Sequence, residues 1–456
     1  MNKFIEKLGS KQIVCLCTMC FIFLWSFSQT YFQARFLIIL LIIPAIYEFY
    51  KELKIKEFKN FFIILFVNIF LFLHYFLNFL QDNTILSFHA FKGYIFLNII
   101  LFISIFYYQK ILENLIFIIK LFYIIFFVSV AFSLVFYQPN ENPFFCGGIT
   151  NILIQNSDFF EKYFLYDMTR PVEDYNFSIK EFIFKENSHL GMIAPAIILY
   201  SINYISKNKN DRFMKIGTFC FVFVCLIKGS TTLIVGTIIS TIIILTFKFY
   251  KISNFTKSAY LIILIFAVYT FVSSSECKRR LVPYYYGKHF INEQTTETVK
   301  VLLNEKTKYS SITSAVYYHS FKISLKSILE KPFGWGLNRY EDAFDYYNKL
   351  DPPTWIGDAS EKVKLESYNR KDAGNNFVKI IVEFGVFGIV FYFFLLIFVL
   401  SKKIPTEIII FLIPMIITQS IRGAGYFNGG FVLVVLMIIL VYFQKYKIFS
   451  KLDKNE

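Results

Sequence analysis

Charge is scarce in this chain. Of its 456 residues only 17% are Asp, Glu, Lys or Arg, whereas 56% are apolar and 20% aromatic. A water-soluble protein of this length needs charge over its whole surface, so the shortage excludes an ordinary soluble globule. Metal-ligand spacing is also missing: the seven cysteines and five histidines form no zinc-type pattern. There is no internal repeat and no low-complexity tract. No small-x-small cleavage site follows the first apolar run, which therefore reads as an uncleaved anchor. "CLCTMC", residues 15–20, lies inside that run without a preceding lipobox. Five cysteines lie in or near apolar runs and act as small apolar residues. Cys146 and Cys277 are expected on the outer side, a compartment that permits a disulfide.

Long apolar runs are what the chain has in quantity. Roughly 17–25 apolar residues span a bilayer. Twelve candidate spans run near 12–28, 36–50, 60–80, 93–108, 111–137, 188–206, 213–228, 230–249, 258–274, 376–400, 404–420 and 428–444. The expected fold class is thus an all-α integral membrane protein of about twelve helices. Lys and Arg mark cytoplasmic loops. With both termini in the cytoplasm, the inside segments hold 21 basic residues. The short outside loops hold four: Arg35, Lys92, Lys228 and Arg422. The net charge of +15 then follows from topology. No basic region interleaves with a soluble reading module, so nucleic acid is not an expected partner.

The expected organisation is helices one to five in 1–137, an extracytoplasmic loop at 138–187 and helices six to nine in 188–274. A large extracytoplasmic loop containing short helices follows at 275–375. Helices ten to twelve occupy 376–444, and 445–456 form a cytoplasmic tail. Inside loops are all short, so the working surface is expected outside.

Four stretches there carry chemistry. In "DAGNNFVKIIVEFGVFG", Asp372, Asn376, Lys379 and Glu383 are spaced 4, 3 and 4, one face of a helix. The bland reading is a self-satisfied ion pair between Lys379 and Glu383. The other is the polar wall of a cleft, since ionisable groups at such depth face a cavity or a partner. Gly385 and Gly388 just beyond would let a neighbouring helix approach. "SLKSILEKPFGWGLNRYEDAF" reads as an amphipathic helix ended by Pro332 and a glycine turn at Gly334 and Gly336. In the third stretch Arg170 precedes "ENSH", whose Glu186, Ser188 and His189 would cap the next span. Arg422 begins "RGAGYFNGG" at a span end, suited either to lipid headgroups or to a specific phosphate.

Together these stretches resemble the O-antigen polymerase and O-antigen ligase superfamily of bacterial inner-membrane proteins. That family has a "Pro-x-x-Gly-x-Gly" turn after a helix in its large loop. Pro332, Gly334 and Gly336 match it, one residue tighter at the first gap. Its "His-Asn … Glu-x-Gly-x-x-Gly" segment is matched by Asn376, Glu383, Gly385 and Gly388. Arg170, Glu186 and Ser188 are similar to the polymerases' Arg and "Glu-x-Ser", and the "KGSTTLIVG" segment with Ser230 and Gly236 to a family hairpin. The resemblance covers about 168–440. The ligase branch has a histidine thought to be catalytic where this chain has Asn375, which favours the polymerase branch.

The resemblance implies a substrate of oligosaccharide on undecaprenyl diphosphate, among membrane lipids, with a chain-length regulator protein as a further partner. An acceptor hydroxyl attacks the donor anomeric carbon and the lipid diphosphate leaves. Arg170, Arg339 and Arg422, then Arg279 and Arg280, are the residues suited to the diphosphate. Glu186, His189, Asp372 and Glu383 are the candidate bases. No Asp-x-Asp occurs in "QTYFQAR", so no metal and no other cofactor is expected. Rival readings are a ligase of the same superfamily and a polytopic flippase or transporter of lipid-linked oligosaccharide. For a transporter, Lys120 and Asn68 are the deep polar residues.

Overall fold

In a computed structural model of the chain, the described residues are 6–25, 34–55, 58–82, 88–136, 187–228, 230–286, 312–350, 369–401 and 404–444. Among them every regular element is helical. An α-helix satisfies all its backbone groups within one segment, which hydrocarbon surroundings demand. A helix covers most of each apolar run. In order they are α1 Lys11–Ile22, α2 Ile42–Lys54, α3 Lys59–Asp82, α4 Phe88–Glu113 and α5 Leu115–Phe136. After them come α6 Asn187–Lys207, α7 Arg212–Lys228, α8 Thr231–Lys248 and α9 Asn254–Tyr286. Two polar-faced helices, α10 Ile312–Glu330 and α11 Tyr340–Leu350, precede α12 Asn376–Phe384, α13 Val386–Leu400, α14 Thr406–Ile421 and α15 Phe431–Gln444.

Among the described residues, four helices are able by length and composition to cross a membrane: Asn60–Gln81, Ala90–Glu113, Ser188–Lys207 and Thr231–Lys251. Six further apolar helices are shorter. The class is therefore all-helical with membrane-compatible helices.

Three expected runs differ in form. The run 36–50 begins as a 3-10 turn, Ala34–Leu41, and turns α-helical just before Pro44. Proline tolerates the first helical turn, where its missing N–H would have no partner. The run 376–400 is two helices broken at Gly385. The helix expected to end near 274 continues to Tyr286, where Glu, Lys, Arg and Leu are good helix formers even outside an apolar run.

α6 forms the centre of the bundle, packed on α7, α8 and α14. Met192, Ile193, Ala194, Ala196 and Ile197 on it are all buried. α8 opens with Ser230 as its cap, whose hydroxyl accepts from the Leu233 N–H at 3.1 Å. Its Gly236 then meets α14 so closely that a Cβ there would collide with Thr418. Thr418 crosses back to α6, donating to the Met192 carbonyl at 2.5 Å. At the other end of the bundle Lys120 of α5 pairs with Asp211 at 2.7 Å. Burial alone would raise the Asp211 carboxyl. The Lys120 ammonium and the Met214 N–H outweigh it and hold the group below its ordinary range.

Candidate functional site

α12 has nine residues and positions the site. Asn375 caps it from an extended backbone, its Oδ1 accepting from the Val378 N–H at 2.7 Å. One turn apart on the buried face stand Lys379 and Glu383, only 4% and 0% exposed and 3.2 Å apart. Buried charge is costly unless it is both paired and hydrogen-bonded. Here it is both. Glu383 Oε1 accepts from the Tyr340 N–H at 3.0 Å, Oε2 from the Asn338 N–H at 2.8 Å and from the Tyr426 hydroxyl. Lys379 donates to the Lys371 carbonyl at 2.6 Å. A carboxylate offers about four acceptor positions. Lys379, two backbone amides and Tyr426 occupy them. The two amides lie at the start of α11, so Glu383 also caps that helix and places negative charge at its positive end.

The glycine turn locks onto the break between α12 and α13. Trp335 N–H donates to the Val382 carbonyl at 3.0 Å, Gly336 N–H to Glu383 at 2.9 Å, and Val386 N–H to Pro332 at 2.9 Å. Such approach needs bare backbone. Gly334 and Gly385 have φ of +82° and +57°. A Cβ on Gly334 would strike the Glu383 carbonyl, and one on Gly385 the Pro332 carbonyl. Gly388 lets α13 fold close to Ile380 of α12. Gly388 thus admits the helix before it, α12, whereas the expectation that Gly385 admits a neighbouring helix is corrected: it admits the turn. His74 of α3, absent from the sequence-based candidates, completes the lock. Its Nε2 lies 2.9 Å from the Phe333 carbonyl and its ring stacks on Phe384 at 4.8 Å.

A second loop, 422–430, meets α12 at its other end. Gly423 N–H donates to the Gly374 carbonyl at 3.1 Å. Asn369, Ala373 and Gly374 all have positive φ, of 53°, 62° and 71°. That left-handed turn holds Asp372 outside the helix, so the expected single stripe of Asp372, Asn376, Lys379 and Glu383 is corrected to a stripe beginning at Asn376. Asp372 Oδ1 accepts from Gly374 N–H at 3.4 Å, and its Cβ lies beside Gly425. The Arg422 guanidinium reaches over Gly374 and sits 6.0 Å from the Tyr317 ring of α10. Asn376 is wholly buried against Gly423, and neither its Oδ1 nor its Nδ2 has a hydrogen-bond partner among the described residues.

Of the sequence-derived residues, Asp372, Arg422 and Asn376 meet at this second loop. Glu383, Gly334, Gly336, Gly385 and Gly388 meet at the first. Arg339 stands next to the first, with its Nε donating to Asp342 at 2.6 Å. His189 is buried against Trp25, ring centroids 4.6 Å apart, and Trp25 in turn lies by Gly429. α6 begins at Asn187, so Ser188 and His189 are within its first turn and do not precede it as caps. Arg170 and Glu186 lie outside the described residues, as does Cys146. Arg279 and Arg280 lie on α9.

Beside both loops lies an almost wholly apolar cavity of about 270 Å³, lined by Phe70, Phe384, Phe387, Phe391, Phe431 and Tyr426. Tyr426 joins the two environments: its ring lines the cavity and its hydroxyl holds Glu383. Burial, then the nearby Glu383 charge, pushes its hydroxyl well above the ordinary tyrosine value.

Comparison with family models, with curated proteins and with solved structures finds no match for this chain. Fold and site define a class: an all-helical protein of apolar helices, with a hydrogen-bonded polar cluster set against an apolar cavity.

Proposed function

We propose that the chain is a surface-polysaccharide polymerase of the O-antigen type, in the bacterial inner membrane. In this reading it has twelve spans and both termini in the cytoplasm, with 275–375 as a large loop on the outer side. It joins oligosaccharide repeats carried on undecaprenyl diphosphate. The observation that carries the reading is convergence. Residues resembling two separate family motifs, Pro332–Gly336 and Glu383–Gly388, hydrogen-bond to each other. The loop bearing Arg422 and the turn bearing Asp372 join next to them, beside a cavity fit for hydrocarbon.

In the proposed reaction an acceptor sugar hydroxyl forms a new bond to the donor anomeric carbon. The bond from that carbon to the lipid diphosphate breaks, and its electron pair leaves with the diphosphate. Arg422 stabilises that anion, with Arg339 and the arginines at 170, 279 and 280 in support. The hydroxyl proton passes to a base. Asp372 is the better candidate, since the four acceptor positions of Glu383 are occupied. His189 and Glu186 are the alternatives.

The ligase reading is weaker because Asn375, where that branch has its histidine, serves as a helix cap. The flippase reading loses one of its two deep polar residues, since Lys120 is paired with Asp211. Purified protein supplied with lipid-linked repeats should lengthen them without any sealed compartment; a transporter would leave them unchanged. In cells Arg422→Ala should abolish long chains and leave single repeats on the final acceptor. Normal chain lengths on a gel would overturn the role of Arg422.

A further inference from the structure

Arg35 stands 393 residues before Asn428 in the chain, yet its Nη1 donates to the Asn428 Oδ1. It belongs to the 3-10 turn Ala34–Leu41, which packs on α1 and brings the guanidinium to the loop 422–430. Asn428 Nδ2 in turn donates to the Ala424 carbonyl. The amide therefore ties Arg35 to the loop and fixes the plane of its fork.

Gly425 lies between the two halves of this arrangement, with φ of +82°. The position of a Cβ on it is 3.5 Å from the Asp372 Cβ and 3.9 Å from the Asn428 Nδ2. Asp372 and Asn428 thus both lie within 4 Å of that one point. The Arg422 guanidinium reaches over Gly374 next to Asp372, and Asn428 holds Arg35. Two guanidinium groups from opposite ends of the sequence are anchored on one nine-residue loop of glycines. A planar guanidinium binds phosphoryl oxygens through paired N–H groups, and two of them held on one loop suit two linked phosphoryl groups.

We propose that Arg35 is a second anion-binding residue of the loop 422–430, holding a phosphoryl group beside Gly425 together with Arg422. The inference rests on the reading of the site as one for a lipid-linked diphosphate, and adds a residue to it. A phosphoryl anion has two sources here, the diphosphate of the carrier or the headgroup of a bilayer phospholipid, and the proposal assigns the carrier.

The test measures binding of undecaprenyl diphosphate and, separately, of phosphatidylglycerol to the purified full-length protein in detergent by native mass spectrometry. Three proteins are compared: the unaltered chain, Arg35→Gln and Asn428→Ala, each first shown to elute as a folded species. Glutamine keeps an N–H for Asn428 and removes the charge, whereas Asn428→Ala removes the tie and keeps the guanidinium. The expected result is that Arg35→Gln weakens undecaprenyl diphosphate roughly tenfold or more, while Asn428→Ala weakens it less. Phosphatidylglycerol should be unaffected. Equal losses in the two variants would make Arg35 a structural tie and overturn the proposal. A loss confined to phosphatidylglycerol would make it a headgroup anchor and would overturn the proposal as well. If the unaltered chain binds no lipid diphosphate, the polymerase reading itself fails. If Arg35→Gln elutes as unfolded, Arg35→Lys replaces it: charge without the fork should bind the diphosphate more weakly than the unaltered chain, and undiminished binding would overturn the proposal.

Discussion

α12 and α3 invert the rule for proteins in water. α12 is short and carries two charges, yet Lys379 and Glu383 are almost fully enclosed. α3 is long and rich in phenylalanine, yet Phe62, Phe66 and Phe72 are 61%, 73% and 65% exposed. Only 17% of its apolar window is buried. Such an arrangement is the one expected in hydrocarbon, where apolar side chains gain little by leaving the solvent and charges gain everything by finding one another. The lesson is that fold specificity here resides in the polar contacts. α3 itself adds polar ties to its ring contacts: His74 to the Phe333 carbonyl, and Asn68 to Asn98 at 2.9 Å.

The largest expected effect comes from breaking the α12 cluster. Glu383→Ala strands the buried Lys379 ammonium and leaves the Asn338 and Tyr340 amides without their acceptor. A destabilisation of about 3–5 kcal/mol is expected, read as a lowered unfolding temperature in detergent and as loss of protein from membranes. Next in size is Gly334→Ala. The new Cβ meets the Glu383 carbonyl at a backbone angle that disfavours side chains. The turn should undock at a cost of about 2–3 kcal/mol, measured by the same melt. The smallest effect belongs to α3. Phe66→Leu, on an exposed face, should alter stability by no more than about 0.5 kcal/mol. A large loss there would mean that α3 has a protein neighbour and would break the contrast between the helices.

Much of the fold was legible because apolar runs write helices directly: a helix covers most of each of the twelve. The breaks were not. Val386, Phe387 and Ile389 continue an apolar pattern across Gly385, and only the turn lodged there shows why the helix stops. In the candidate site the sequence offered Lys379 and Glu383 as a pair because their spacing of four is local. The other partners of Glu383 lie 43 and 45 residues away, two of them backbone amides that no side-chain pattern records. His74 was missed because a lone imidazole in a phenylalanine-rich run carries little signal. Its one clue was Asn78, a second polar residue one turn on, and the two side chains do touch at 3.2 Å. Spacing alone puts Asp372 on the helix; three positive φ angles just before α12 decide otherwise.

The most direct test is a double-mutant cycle on thermal stability with Lys379→Met and Glu383→Gln. If the two charges are mutually dependent and enclosed, each single change is severe. The double change then costs less than the sum of the two by about 1–3 kcal/mol, because neither charge is left alone. Simple additivity would contradict that result: the two groups would then be solvated independently, and the polar end of the bundle would not be built around them.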